Sequence, residues 1–199
     1  MKPITFSLQF RGRATTIRSD RLRFNLTAPS SALVTTVGPE GVSGAFEDVP
    51  GAEAVLESEL SFGGRGQTAF DEVGTIEFGR GHALRFRSMG LGRLAACPDP
   101  NLKQGAVVRE VEGGSGQFAG AEGLITSNFF VSDTGEVTEN HLGLIFVHDR
   151  RETPAERRKD EEGIASYHLS RPSGRRTGRA SSRGETTQSQ QKEAPHDPR

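Results

Sequence analysis

Apolar and polar residues alternate with a period of two through most of residues 1–148. Ile4, Phe6, Leu8 and Phe10 alternate with Thr5, Ser7 and Gln9, and Leu22, Phe24 and Leu26 alternate with Arg21, Arg23 and Asn25. Leu56, Leu60 and Phe62 share one parity within 54–62; Phe70, Ile76 and Phe78 share another within 68–78; Leu84 and Phe86 do so within 82–89. A period of two places successive side chains on opposite faces of an extended strand. Strands are therefore predicted there and over 106–111, 124–131 and 137–147, with weaker signals over 32–37 and 42–46. No long segment before residue 150 carries the 3.6-residue period of a helix.

Gly38-Pro39-Glu40-Gly41, Gly63-Gly64-Arg65-Gly66, Gly79-Arg80-Gly81 and Ser132-Asp133-Thr134-Gly135 separate the strands. Such punctuation marks turns, and the glycines of Gly79-Arg80-Gly81 and Asp133-Thr134-Gly135 suit hairpins. Cys97-Pro98-Asp99-Pro100-Asn101 reads as a longer connection. Many short strands joined this way indicate an all-β sandwich or barrel. The last three strands favour closure because they are apolar on both faces: Val107 and Val111 oppose Val108, Leu124 and Phe130 oppose Ile125 and Phe129, and Leu142, Leu144 and Phe146 oppose Ile145 and Val147. A sheet with one face in water alternates cleanly. A barrel interior on one side and a subunit interface on the other would cover both, so the expected architecture is an antiparallel barrel of eight or nearly eight strands that forms a homo-oligomer, a dimer or trimer.

Composition sets the boundary. All twelve Phe lie at or before Phe146 in a chain of 199 residues. The segment 149–199 holds twelve Lys/Arg against nine Asp/Glu, while 1–148 is mildly acidic. The expectation is a barrel over 1–148 and a basic, largely disordered tail over 149–199, with a short helix near 154–162 signalled by Thr153-Pro154-Ala155-Glu156. The tail's Arg171, Arg175, Arg176, Arg179 and Arg183 could touch RNA, but a solvated tail is the favoured reading. No stretch reaches the roughly 18 apolar residues of a membrane helix, and the N-terminus lacks the apolar run of a secretion signal. The chain reads as soluble and cytoplasmic. The single Cys97 excludes an intrachain disulfide, and no Cys/His spacing suggests a metal. No phosphate loop, nucleophile elbow or other cofactor motif is present, so no cofactor is expected.

The run Glu112-Gly113-Gly114-Ser115-Gly116-Gln117-Phe118-Ala119-Gly120-Ala121-Glu122-Gly123 reads as a glycine corner between two strands, with Phe118 as its plug. It resembles the GGSG-x-F-x-G-A-x-G signature of the allene oxide cyclase-like barrels, of which dirigent proteins carry a looser version. The resemblance implies an eight-stranded antiparallel barrel with a small-molecule cavity, often trimeric. Plant members cyclise a reactive epoxide or guide coupling of phenolic radicals, and bacterial relatives include natural-product cyclases. The matched residues Gly113, Gly114, Gly116, Phe118, Gly120 and Gly123 are structural. The plant cyclases' N-terminal catalytic segment has no counterpart in Met1–Arg23, so their activity is not carried over.

Candidate chemistry lies in polar residues on otherwise apolar strand faces. Glu72 shares the face of Phe70, Ile76 and Phe78, where burial would raise its pKa and suit it to proton transfer; a rim position or a bulge at Gly74 is the alternative. Glu139 and His141 share the face of Val137, Ile145 and Val147, roughly 7 Å apart along the strand, and form a usable acid/base pair unless they sit at its open end. His82, beside a turn, and Asn128, on the Leu124/Phe130 face, are candidate ligand contacts with Phe70, Phe86 and Phe130. Arg85 and Arg87 are expected to point outward. The function expected is binding of a small, largely apolar organic molecule in the lumen, extending to a non-redox cyclase or isomerase activity. The alternative is a structural or protein-interaction barrel with a filled lumen; a continuous cavity of several hundred Å³ would separate the two.

Overall fold

A computed structural model describes residues 1–63 and 68–148. The tail expected over 149–199, its short helix and its Arg series lie outside the described residues. The alternating segments form eleven strands: β1 (Lys2–Arg18), β2 (Arg21–Ala28), β3 (Ser31–Gly38), β4 (Gly41–Asp48), β5 (Ala54–Phe62), β6 (Ala69–Phe78), β7 (Ala83–Ser88), β8 (Gly92–Ala96), β9 (Leu102–Gly114), β10 (Glu122–Ser132) and β11 (Glu136–Val147).

The strands close into an eight-position antiparallel barrel. β1 pairs with β2, β2 with β5 and β5 with β6. β7 and β8 together fill the next position, pairing with β6 on one side and with the lower and upper halves of β9 on the other. β9 pairs with β10, β10 with β11, and β11 returns to β1 along Lys2↔Val147 to Arg13↔Glu136. Closure removes the unpaired backbone edges that an open sheet presents. β3 and β4 stand apart as a two-stranded hairpin inserted between β2 and β5. Their weak alternation fits this placement: Val37 and Val42 are 80% and 73% exposed.

The inner face carries even-numbered residues in β1, β2, β5, β6 and β7, and odd-numbered residues in β9, β10 and β11. At the lower end, where β1 enters, Phe78 packs edge-to-face on Phe6 at 5.1 Å and at a tilt on Phe118 at 5.2 Å. Phe118 comes from the glycine corner, a 3-10 turn over Gly116–Phe118. Gly116 has φ 61°, and a side chain there would overlap the Gly81 carbonyl and His82, so only glycine lets the corner sit on the β6–β7 turn. Higher up, Phe24, Phe70 and Phe129 form a second aromatic layer, with Phe129 at 5.5 Å from Phe24 and 6.0 Å from Phe70. Each fully buried ring contributes about 1.5–3 kcal/mol of transfer free energy.

One face assignment is corrected. β10 is apolar on both faces, and the structure turns Ile125, Ser127 and Phe129 inward and Leu124, Asn128 and Phe130 outward. Asn128 and Phe130 therefore do not line the lumen. Hydrophobicity could not decide the parity of such a strand. Its register with β11 does, by setting Ser127 opposite His141.

Candidate functional site

Glu72 from β6, Arg109 from β9, Ser127 from β10, and Glu139 and His141 from β11 meet in the middle of the lumen, and all are buried. Each sits at an inward parity, so the period that builds the wall also aims these polar groups at the barrel axis. Arg109 is the hub. Its Nε donates to Glu72 Oε2 at 2.9 Å and its Nη2 to Glu72 Oε1 at 2.8 Å, a bidentate fork. Nη2 also donates to Glu139 Oε1 at 2.6 Å, and Nη1 lies 2.6 Å from His141 Nε2. The Ser127 hydroxyl donates to the same Glu139 oxygen. The guanidinium lies over the Phe86 ring at 4.7 Å, and the Phe10 ring packs 4.7 Å from His141.

His141 Nε2 also lies 3.0 Å from Glu139 Oε1, so this nitrogen stands between a guanidinium, which can only donate to it, and a carboxylate, which can only accept from it. Burial holds the His141 pKa below its ordinary value, against the opposing pull of Glu139. Burial pushes Glu72 up, outweighing Arg109, and the neighbouring Glu139 charge adds to the rise. Burial also acts to raise Glu139, but Arg109, His141 and Ser127 together hold it well below the usual carboxylate range. Arg109 is raised despite burial because two carboxylates face it. The lumen thus holds one guanidinium facing two carboxyls, of which burial lifts Glu72 while its partners hold Glu139 down. Glu139 Oε2 and His141 Nδ1 are buried and bond to no described protein group.

The three residues expected to carry proton chemistry, Glu72, Glu139 and His141, are therefore brought together. Of the expected ligand contacts, Phe70 and Phe86 face inward but are packed into the core. His82 lies at the lower rim, where its Nδ1 accepts from the Gln117 amide at 2.9 Å; Asn128 and Phe130 point outward. Sequence reasoning missed Arg109. Its one signal in the sequence is its parity with Val107 and Val111, a weak one because arginine is seldom fully buried. Arg85 and Arg87 are exposed, and Arg87 pairs with Glu110 and Glu112 at 3.3 and 3.1 Å. Among the described residues no group of three or more His, Cys, Asp or Glu is arranged to hold a metal.

Side chains fill the barrel at mid-height, so among the described residues the open space lies at the two ends and not as one continuous lumen cavity. At the upper mouth a cavity of about 240 Å³ is walled by Ala14, Leu22, Phe24, Leu60, Phe62, Leu94, Phe129 and Val131, with Thr16, Lys103, Ser132 and Asp133 also lining it. Phe24 and Phe129 are shared between this cavity and the aromatic layer, and no residue of the Arg109 cluster lines it. Gly105 makes the arrangement possible, since a side chain there would overlap the Phe129 ring. A larger groove of about 480 Å³ at the lower end mixes Ser7, Ser30, Ser31 and Glu53 with Phe6 and Phe78 and opens to solvent. Among the described residues no helix is long and apolar enough to cross a membrane.

No family model, curated protein or solved structure matches this chain. The likeness of the glycine corner to allene oxide cyclase-like barrels rests on the corner residues alone.

Proposed function

We propose that this barrel binds a small, largely apolar organic molecule at its upper mouth. The observation that carries the reading is the apolar wall of the 240 Å³ cavity, in which eight hydrophobic side chains surround open space. At about 30 Å³ per water, that volume corresponds to about eight water molecules. It suits a compact ring or short chain and lies just below the roughly 300–1,000 Å³ of drug-sized sites. Displacing water from such a wall is favourable in proportion to the apolar area covered.

Turnover is a separate step. For Glu72, Glu139 or His141 to exchange a proton with a guest, the Phe129 ring must swing off Gly105 and open the aromatic layer. Binding needs no such motion. The packed mid-section favours a second reading, a barrel that serves as an interaction module.

Indole, a neutral aromatic of suitable size, tests the first reading in a titration followed by backbone amide NMR. The expected result is saturable shifts concentrated at Ala14, Phe24, Leu94 and Val131, abolished by Leu94→Arg in a variant that keeps the wild-type spectrum elsewhere. Absence of saturable shifts, or shifts that survive Leu94→Arg, would refute it.

A further inference from the structure

The outer wall of β9, β10 and β11 is bare where water should face polar groups. Val108, Leu124, Phe130, Leu142, Leu144 and Phe146 are 38–54% exposed. Register makes them neighbours. Leu124 lies opposite Leu144, and Thr126 lies between Leu142 and Val108. From their exposures these six side chains present about 500 Å² of apolar surface, within the range of a monomer's largest and often functional patch.

We propose that this face docks against the same face of a second copy of the chain, forming a two-fold dimer. Two arguments select a copy over an unrelated protein. The first is charge. Thr126, Asn128, Thr138 and Asn140 lie among the apolar positions, and β1 contributes Thr5 and Ser7 beside Leu144 and Leu142. No Lys, Arg, Asp or Glu lies at the centre of the patch, among Val108, Thr126, Leu142 and Leu144. Charges stand at its border, where Arg11 lies beside Thr138 and Glu122 lies between Phe146 and Glu112. The central face therefore meets itself across a two-fold axis without like charges in contact. The flanking Glu110 and Glu112 are already paired with Arg87. Recognition of a different partner usually carries a complementary charge pattern, and the centre of this face has none. The second argument is area. Covering the patch on both copies removes about 1,000 Å² of apolar surface, the threshold a specific interface must clear. Two sheets packed face to face also bury side chains that otherwise oppose the barrel interior with no partner.

The proposal is independent of the mouth cavity, because none of these six side chains lines it. Sedimentation velocity of the full chain across a range of micromolar concentrations tests it. The expected result is a reversible monomer–dimer equilibrium. Leu144→Glu should raise the dissociation constant at least about tenfold, and Thr126→Arg should do the same by setting like charges across the axis. Both positions face outward, so circular dichroism should report an unchanged barrel. Thr126→Arg also keeps the test valid should Leu144→Glu fail to fold. A monomeric wild type, a trimer, or a dimer indifferent to both substitutions would overturn the proposal.

Discussion

Replacing Arg109 with Met removes the cation from the lumen while retaining most of the volume of its stem. Two carboxyls are then left facing each other in a space where neither is exposed. Removing one partner of a buried ion pair costs about 3–5 kcal/mol, because the remaining charge is stranded without water. For a domain whose total stability is about 5–15 kcal/mol, such a loss is large. It should lower the melting temperature by roughly 10 °C or more. Urea denaturation at pH 7 provides the assay, with Arg23→Met as an internal contrast. Arg23 pairs with Glu59 at 2.5 Å but is 51% exposed, and breaking so exposed a pair should leave the urea midpoint nearly unchanged.

The sign of the pH response gives a second check on the same variant. Without Arg109, burial raises the carboxyl pKa values above those of the unfolded chain. Stability contributed by a raised carboxyl is present at low pH and lost as pH rises through the folded value. Arg109→Met should therefore be more stable at pH 5 than at pH 7. Adding Glu72→Leu and Glu139→Leu should recover most of the loss, since an apolar replacement for a whole buried charge cluster is often neutral. A loss below about 1 kcal/mol, or a triple variant no better than the single, would refute the idea that the hub balances two buried carboxyls.

Other outcomes follow from the same geometry. Because burial lowers the His141 pKa, its stabilising contribution is complete above the unfolded value near 6.5 and is lost as pH falls toward the folded value. The stability gap between wild type and His141→Gln, measured by urea titration from pH 7.5 downward, should thus narrow with acidification. A gap that is constant or widens contradicts the lowered His141 pKa. Gly105→Ala should force the Phe129 ring aside and cost about 1–3 kcal/mol, as overpacking does, and should shift the amide resonances of the upper mouth; a wild-type melting curve would count against the close approach.

The barrel was legible in the sequence wherever one strand face was apolar and the other polar. Phe6, Leu8 and Phe10 in β1, and Phe24 and Leu26 in β2, alternate with polar residues, and both strands face as expected. The prediction failed where both faces are greasy. In β10 the choice between Leu124/Phe130 and Ile125/Phe129 depends on pairing with β11, which no local pattern encodes. The inward side of the chemistry was readable for Glu72, Glu139 and His141 because each interrupts an apolar row. Arg109 interrupts such a row as well, but its partners lie 37, 30 and 32 residues away along the chain. Only the closed barrel brings them within reach, and without visible partners a buried arginine cannot be anticipated. The short β8 was hidden, and the β3–β4 hairpin, whose strands were weakly signalled, could not be placed outside the barrel sheet, since strand position in a sheet is set by long-range pairing.

Xenon-pressurised crystals test the central claim most directly, because xenon enters apolar space and leaves packed or charged interiors empty. The account expects xenon at the upper mouth, in contact with Phe24, Leu94 and Phe129, and none beside Arg109. Xenon in the middle of the barrel, or a mouth that takes up none, would contradict it.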